Sequence, residues 1–195
     1  VEDNGNFTDC GTGHISVIND PPIVSAGLDA SLDEGGVYSG SGSFTDSDPD
    51  IWSATVNYGD GTGTVALPLN GKTFNLSHPY ADDGTFTVAV TVTDGINPAV
   101  TDTLDVTVAN IAPTIDLSGE VSVNEGSVYT LTLGTVTDPG ADSVTSYIVK
   151  WGDSSSITYP TGGDVTHTYA DGPSSPTIAV DLVDEDGIHT SAGTK

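Results

Sequence analysis

Carboxylates are the side chains through which this chain can do chemistry. Asp46, Asp48 and Asp50 alternate within one short stretch, and Asp138 and Asp142 stand in an equivalent stretch further on. A hard cation such as Ca²⁺ takes six to eight oxygens, and flexible acidic turns supply them. Imidazoles come second. His14, His78, His167 and His189 are the four histidines, and none has the spacing of a zinc motif or a serine–histidine–acid pattern. His78 and His167 each stand in His-x-Tyr, which reads as a histidine fixing a strand entry. Tyr80 and Tyr169 beside them read as hydroxyl contacts of the tyrosine-corner kind. A carboxylate pair for glycoside hydrolysis would need an aromatic path for sugar. Trp52 and Trp151 are the only tryptophans, and Trp151 is read as core. Lys150 has Asn57 at its place in the first of the two repeats set out below, so no isopeptide scheme is shared. The sequence therefore presents no catalytic constellation, and the chain is expected not to be an enzyme.

Asp and Glu number 28 against 3 Lys and Arg, for a net charge of -25. Nucleic acid and anionic membrane are excluded as partners by repulsion. Self-repulsion also opposes compaction unless salt or bound cations relieve it, and outside the cell Ca²⁺ is the available divalent ion. Hydrophobic residues make up 35% and fall in alternating runs, so the chain is expected to fold. Cys10 is the single cysteine, and no internal disulfide can form. Asn6-Phe7-Thr8 and Asn75-Leu76-Ser77 are glycosylation sequons.

Comparison of the chain with itself uncovers a repeat. Asn19-Asp20-Pro21-Pro22 returns as Asn110-Ile111-Ala112-Pro113, and Glu34-Gly35-Gly36-Val37-Tyr38 as Glu125-Gly126-Ser127-Val128-Tyr129, both displaced by 91 residues. Tyr58-Gly59-Asp60 answers to Trp151-Gly152-Asp153, and His78-Pro79-Tyr80 to His167-Thr168-Tyr169. Residues 1–18 match the end of a copy and read as the terminal strand of a preceding or partner repeat. Two copies follow, 19–109 and 110–195, the second lacking a counterpart of His14 to Ile18.

Strands are the expected elements. Phe86 to Val92 alternates β-branched residues and ends at the turn pair Asp94-Gly95; Thr103 to Val108, Tyr129 to Leu133, Ile148 to Trp151 and Ile178 to Leu182 read the same way. Gly and Pro punctuate the chain every eight to twelve residues, and no window has a helical period. The expected fold is all-β, two tandem Ig-like sandwiches with an extra N-terminal strand. Glu34 and Glu125, each before Gly, read as turn starters. In a sandwich the 46–50 loop lies at the same end as Asn19, Asp20 and Asp94, so sequence-distant acids converge there.

Tyr58-Gly59-Asp60-Gly61, then His78-Pro79-Tyr80-Ala81-Asp82-Asp83-Gly84-Thr85-Phe86-Thr87-Val88 and Val92-Thr93-Asp94-Gly95, resemble the PKD (polycystic kidney disease) domain family. The resemblance covers 19–195 as two copies and implies PKD-type β-sandwiches used as extracellular spacers or interaction modules. It also implies a calcium site built from an entry Asn, a loop Asp pair and the Asp closing the Thr-Asp motif. Residue by residue these are Asn19, Asp46, Asp48 and Asp94 in the first copy, and Asn110, Asp138, Asp142 and Asp184 in the second. The second copy departs in having Ser154 for the last glycine of Gly-Asp-Gly, which predicts a looser turn. Its Pro173-Ser174-Ser175-Pro176 predicts a shorter or bent strand there.

The function expected is a non-catalytic, calcium-stabilised structural or adhesive module, extracellular or at the cell surface. Its expected partners are neighbouring repeats or other copies of itself. The alternative is a carbohydrate-binding or substrate-presenting module beside a secreted enzyme, with surface glycans as partners. One further expectation follows from the register. Gly13 to Ile18 alternates, with Ile15 and Val17 able to face inward. Donated to the second copy of another chain, it would build a head-to-tail filament.

Overall fold

The computed structural model of the chain describes residues 18–47 and 49–195. The donor segment up to Val17, Cys10, His14, the Asn6 sequon and Asp48 lie outside the described residues.

Every regular element is a strand, as β-branched alternation dictates. The first sandwich packs two sheets. One runs β1 (Ile23–Ser25), β3 (Val37–Thr45), β7 (Thr73–Pro79), β6 (Leu69–Asn70) in spatial order. The other runs β2 (Ala30–Asp33), β9 (Val100–Ala109), β8 (Gly84–Thr93), β4 (Ser53–Asn57), β5 (Thr64–Leu67). Alternate residues face inward, so Val88, Val90 and Val92 of β8 and Leu104, Val106 and Val108 of β9 are all buried in the core. Each fully buried valine of this kind contributes about 1.5–3 kcal/mol. One pairing is parallel: β2 lies beside β9, Ala30 opposite Val106 and Asp33 opposite Ala109.

The second sandwich has the sheets β10 (Thr114–Gly119), β11 (Val128–Thr137), β14 (Gly163–Thr168) and β13 (Ser156–Tyr159), β12 (Ser146–Lys150), β15 (Ala179–Val183), β16 (Ile188–Thr194). Its core gathers Leu131, Val149, Trp151, Val180 and Leu182, separate from the first core. The strand expected from Ile178 begins at Ala179 and is half the length of β8. Residues 173–178, which precede it, are irregular. The counterpart of β2, residues 121–124, forms no strand, and Val121 is 97% exposed.

The expected looser turn at Ser154 is not found. Ser154 holds φ 75°, close to the φ 84° of Gly61, so the turn is kept at the cost of a left-handed serine.

Candidate metal centre

The shared motif proves to be a bracket. In the first sandwich His78 Nε2 lies 2.6 Å from Asp60 Oδ2, its ring stacks on Tyr58 at 4.2 Å, and the Tyr80 hydroxyl donates to the Tyr58 carbonyl at 2.8 Å. The second repeats it: His167 to Asp153 at 2.7 Å, His167 stacked on Trp151 at 4.8 Å, and the Tyr169 hydroxyl on the Trp151 carbonyl at 2.9 Å. Burial alone would raise the Asp60 carboxyl, but hydrogen bonds from Thr62 and His78 outweigh it and hold it at about 2. Hydrogen bonds from Ser155 and His167 hold Asp153 at about 2 as well. Each imidazole thus holds the aspartate of a neighbouring turn and ties the strands together. Lys150 forms an ion pair with the buried Asp181 at 2.6 Å.

Among the described residues six carboxylates fall into two groups, each able to place its oxygens within 4.8 Å of one another. Oxygens bound to one Ca²⁺ at 2.3–2.6 Å lie no more than about 5 Å apart, so both groups fit. The first joins Asp46 and Asp50, from the loop between β3 and β4, to Asp94 at the end of β8. Its members already have partners. Asp46 Oδ2 accepts from the Trp52 indole at 2.9 Å, and Lys72 Nζ donates to the Asp46 carbonyl at 2.6 Å while lying over the Trp52 ring. Asp94 Oδ1 accepts from the Ile96 and Asn97 amides, and Oδ2 from the Asn19 and Asn97 side chains. Those hydrogen bonds, the Ile96 amide first, hold Asp94 below the usual carboxylate range. Asn19 thus reaches Asp94 through its amide nitrogen, as the expected entry residue. Asp50 joins Asp46 and Asp94 here, while Asp48 lies outside the described residues.

The second group spans the two sandwiches. Asp138 and Asp142, from the loop between β11 and β12, meet Glu34, which directly follows β2 of the first sandwich. Glu34 is 3% exposed. Its Oε1 accepts from the Ile111 amide at 2.7 Å, while its buried Oε2, Asp138 Oδ2 and both Asp142 oxygens have no hydrogen-bond partner. Burial, then the charges of Glu34, Asp138, Asp186 and Glu185, push Asp142 up to about 6. Burial raises Glu34 too, against the Ile111 hydrogen bond, with Asp138, Asp186 and Asp83 adding to the rise.

Asp184 is not one of the carboxylates of this group. Asp184 caps its own turn through the Asp186 and Gly187 amides and has His189 Nε2 2.8 Å from its carboxylate; Asn110 donates to Asp186. Glu34 does open a turn, Gly36 donating to the Asp33 carbonyl at 3.2 Å, but its carboxylate has a second use. Nothing in its sequence context announces this, since Glu125 stands in the same Glu-Gly-x-Val-Tyr pattern and lies exposed.

The first sandwich matches the PKD domain family over residues 19–108. Among solved structures, the PKD domain of an M14-like peptidase from Thermoplasmatales archaeon SCGC AB-540-F20 is 27% identical, covering 47% of this chain and 98% of its own, with a TM-score of 0.36. The fibronectin(III)-like modules of Clostridium thermocellum CbhA are 14% identical over 89% of this chain and 90% of theirs, with a TM-score of 0.36. The first two Ig domains of DIP-gamma are 12% identical over 91% and 96%, with a TM-score of 0.43. No curated protein sequence matches. Residues 19–108 are a PKD domain, and the residues after it build a second Ig-like sandwich around the same aspartate–histidine–tyrosine bracket.

Proposed function

We propose that the chain is a calcium-stabilised structural or adhesive module of an extracellular repetitive protein, a spacer that performs no catalysis. The observation that supports it most is the acidic group at Asp138 and Asp142, in which Asp138 Oδ2 and both Asp142 oxygens are buried without a hydrogen bond while Asp138 Oδ1 accepts from the Gly140 amide. Carboxylates crowded out of water without a counter-charge are costly. All donors are oxygens, which suits Ca²⁺ and not the softer transition metals. The test is thermal melting and solution scattering of the chelated protein with and without millimolar Ca²⁺. A rise in melting temperature is expected by mass action; no change in melting or shape would sink the calcium reading.

Carbohydrate binding is the weaker alternative. Among the described residues no aromatic side chain is exposed, so a stacking platform for glycans has no material there.

A further inference from the structure

We infer that Glu34 of the first sandwich is a ligand of the cation held by Asp138 and Asp142 of the second, so that one ion is shared across the junction and fixes the two modules together. The inference rests on the calcium reading above and extends it to a residue of the neighbouring module.

The backbone aims Glu34 at this place. Its amide donates to the Ala109 carbonyl at 3.0 Å, which ties it to the end of β9 where the chain leaves the first sandwich. Its Oε1 takes the Ile111 amide of the linker. That leaves Oε2, buried and unpartnered, facing the 138–142 loop.

The loop is shaped to receive it. A Cβ on Gly140 would stand 2.6 Å from Glu34 Oε2, and one on Gly35 would stand 2.3 Å from the Pro139 carbonyl oxygen. The contact at Gly35 is with backbone and leaves no room for a Cβ, and a Cβ on Gly140 would push the Glu34 carboxylate off the loop, so glycine at both positions lets the carboxylate and the loop approach. The Ala141 amide then donates to the Ala81 carbonyl of the first sandwich at 2.8 Å.

Among the described residues no positive side chain balances the group. The charges acting on Glu34 and Asp142 from the residues around them are those of Asp83, Asp138, Glu185 and Asp186, all negative. The chain's three lysines are Lys72, Lys150 and Lys195, and it has no arginine. Lys72 is engaged at Asp46 and Lys150 at Asp181. A buried carboxylate oxygen with neither a hydrogen bond nor a counter-ion is a large penalty, and a shared divalent cation removes it for all three residues at once. Three protein carboxylates leave the remaining coordination positions of a Ca²⁺ to backbone or water oxygens.

Calcium chloride is titrated calorimetrically into the chelated two-sandwich chain and into Glu34→Gln, Asp142→Asn and Glu125→Gln. In parallel, spin labels on the exposed positions Ser39 and Thr166, one in each sandwich, report interdomain distances. Glu34→Gln keeps the acceptor for Ile111 and should remain folded; Glu34→Asp, with its shorter arm, is the second variant. The expected result is at least a tenfold loss of affinity in Glu34→Gln, Glu34→Asp and Asp142→Asn. Ca²⁺ should narrow the distance distribution of the wild type and not of Glu34→Gln, while Glu125→Gln behaves as wild type. Undiminished affinity and narrowing in both Glu34 variants, with binding lost in Asp142→Asn, would overturn the sharing and leave the calcium reading intact. Absence of calcium binding in the wild type would overturn both.

Discussion

The two sandwiches share a bracket and differ in how completely their cores and acidic groups are satisfied. In the first, β9 runs the full length of β8, and β2 adds itself in parallel at its edge. In the second, β16 pairs with the shorter β15, and residues 121–124 form no strand. The acidic groups follow the same contrast. Asp46 and Asp94 are held by Trp52, Asn19 and Asn97 with Lys72 alongside, whereas Asp142 has no hydrogen bond. The same motif thus stands in two different surroundings, and the contrast between them lies in the loops and not in the bracket.

The sharpest way to break the contrast is to make the first sandwich resemble the second. Leu104 is 3% exposed between the sheets. Leu104→Ala should cost about 2–5 kcal/mol and bring the unfolding of the first sandwich down toward that of the second, followed by hydrogen exchange on β8 and β15. If the second sandwich already survives to higher denaturant in the wild-type, chelated protein, the contrast is wrong.

The bracket, by comparison, should behave alike in both halves. Asp60 and Asp153 are both depressed to about 2 from 3.8. A depressed carboxyl contributes stability that is present above about pH 4 and is lost as pH falls through about 2. Asp60→Asn should remove on the order of 2 kcal/mol at neutral pH and flatten the acid limb for the first sandwich only, leaving that of the second. Amide protection in β7 and β14 measured from pH 5 to pH 2 checks this.

The acidic groups supply the next test, in which one substitution has opposite signs under two conditions. In chelator, Asp142→Asn removes a charge facing Glu34, Asp138, Asp186 and Glu185, so it should stabilise by on the order of 1 kcal/mol. In millimolar Ca²⁺ it removes a ligand and should lower the melting temperature. Asp46→Asn, whose carboxylate accepts the Trp52 indole, should destabilise in both conditions. A uniform sign for Asp142→Asn would show that the second group is no more dependent on a cation than the first.

These contrasts explain which parts of the molecule were legible in the sequence. Strand alternation is local, so β8, β9 and β11 could be read from Val88, Val90, Val92 and their like. The bracket was legible as a repeated pattern, because Asp60, His78 and Tyr80 recur together as Asp153, His167 and Tyr169. Asp46, Asp94, Asp138 and Asp142 were legible by position in loops at one end. Glu34 was not. Its role depends on a neighbour 104 residues away, Asp138, and on the approach that Gly35 and Gly140 permit. Neither is written in the local pattern that Glu125 shares.

The smallest effect concerns one turn residue. Gly61 and Ser154 hold the same left-handed backbone, φ 84° and 75°, in the turn that offers Asp60 to His78 and Asp153 to His167. In each copy the following residue secures the turn: Thr62 donates its amide and hydroxyl to Asp60 Oδ1, and Ser155 donates both to Asp153 Oδ1. A left-handed conformation costs a residue with a Cβ about 1–2 kcal/mol. Glycine escapes that cost but loses about 0.4–1 kcal/mol more unfolded-chain entropy. A Cβ at position 61 would meet nothing within 4 Å, so packing does not enter and the difference is purely conformational. Ser154→Gly should therefore stabilise the second sandwich by about 0.5–1 kcal/mol, and Gly61→Ser should destabilise the first by a similar amount. Chemical denaturation of the two variants checks it. A stabilising Gly61→Ser would mean that the hydrogen bonds to Asp60 and Asp153, and not the backbone of the turn residue, set the stability of the bracket.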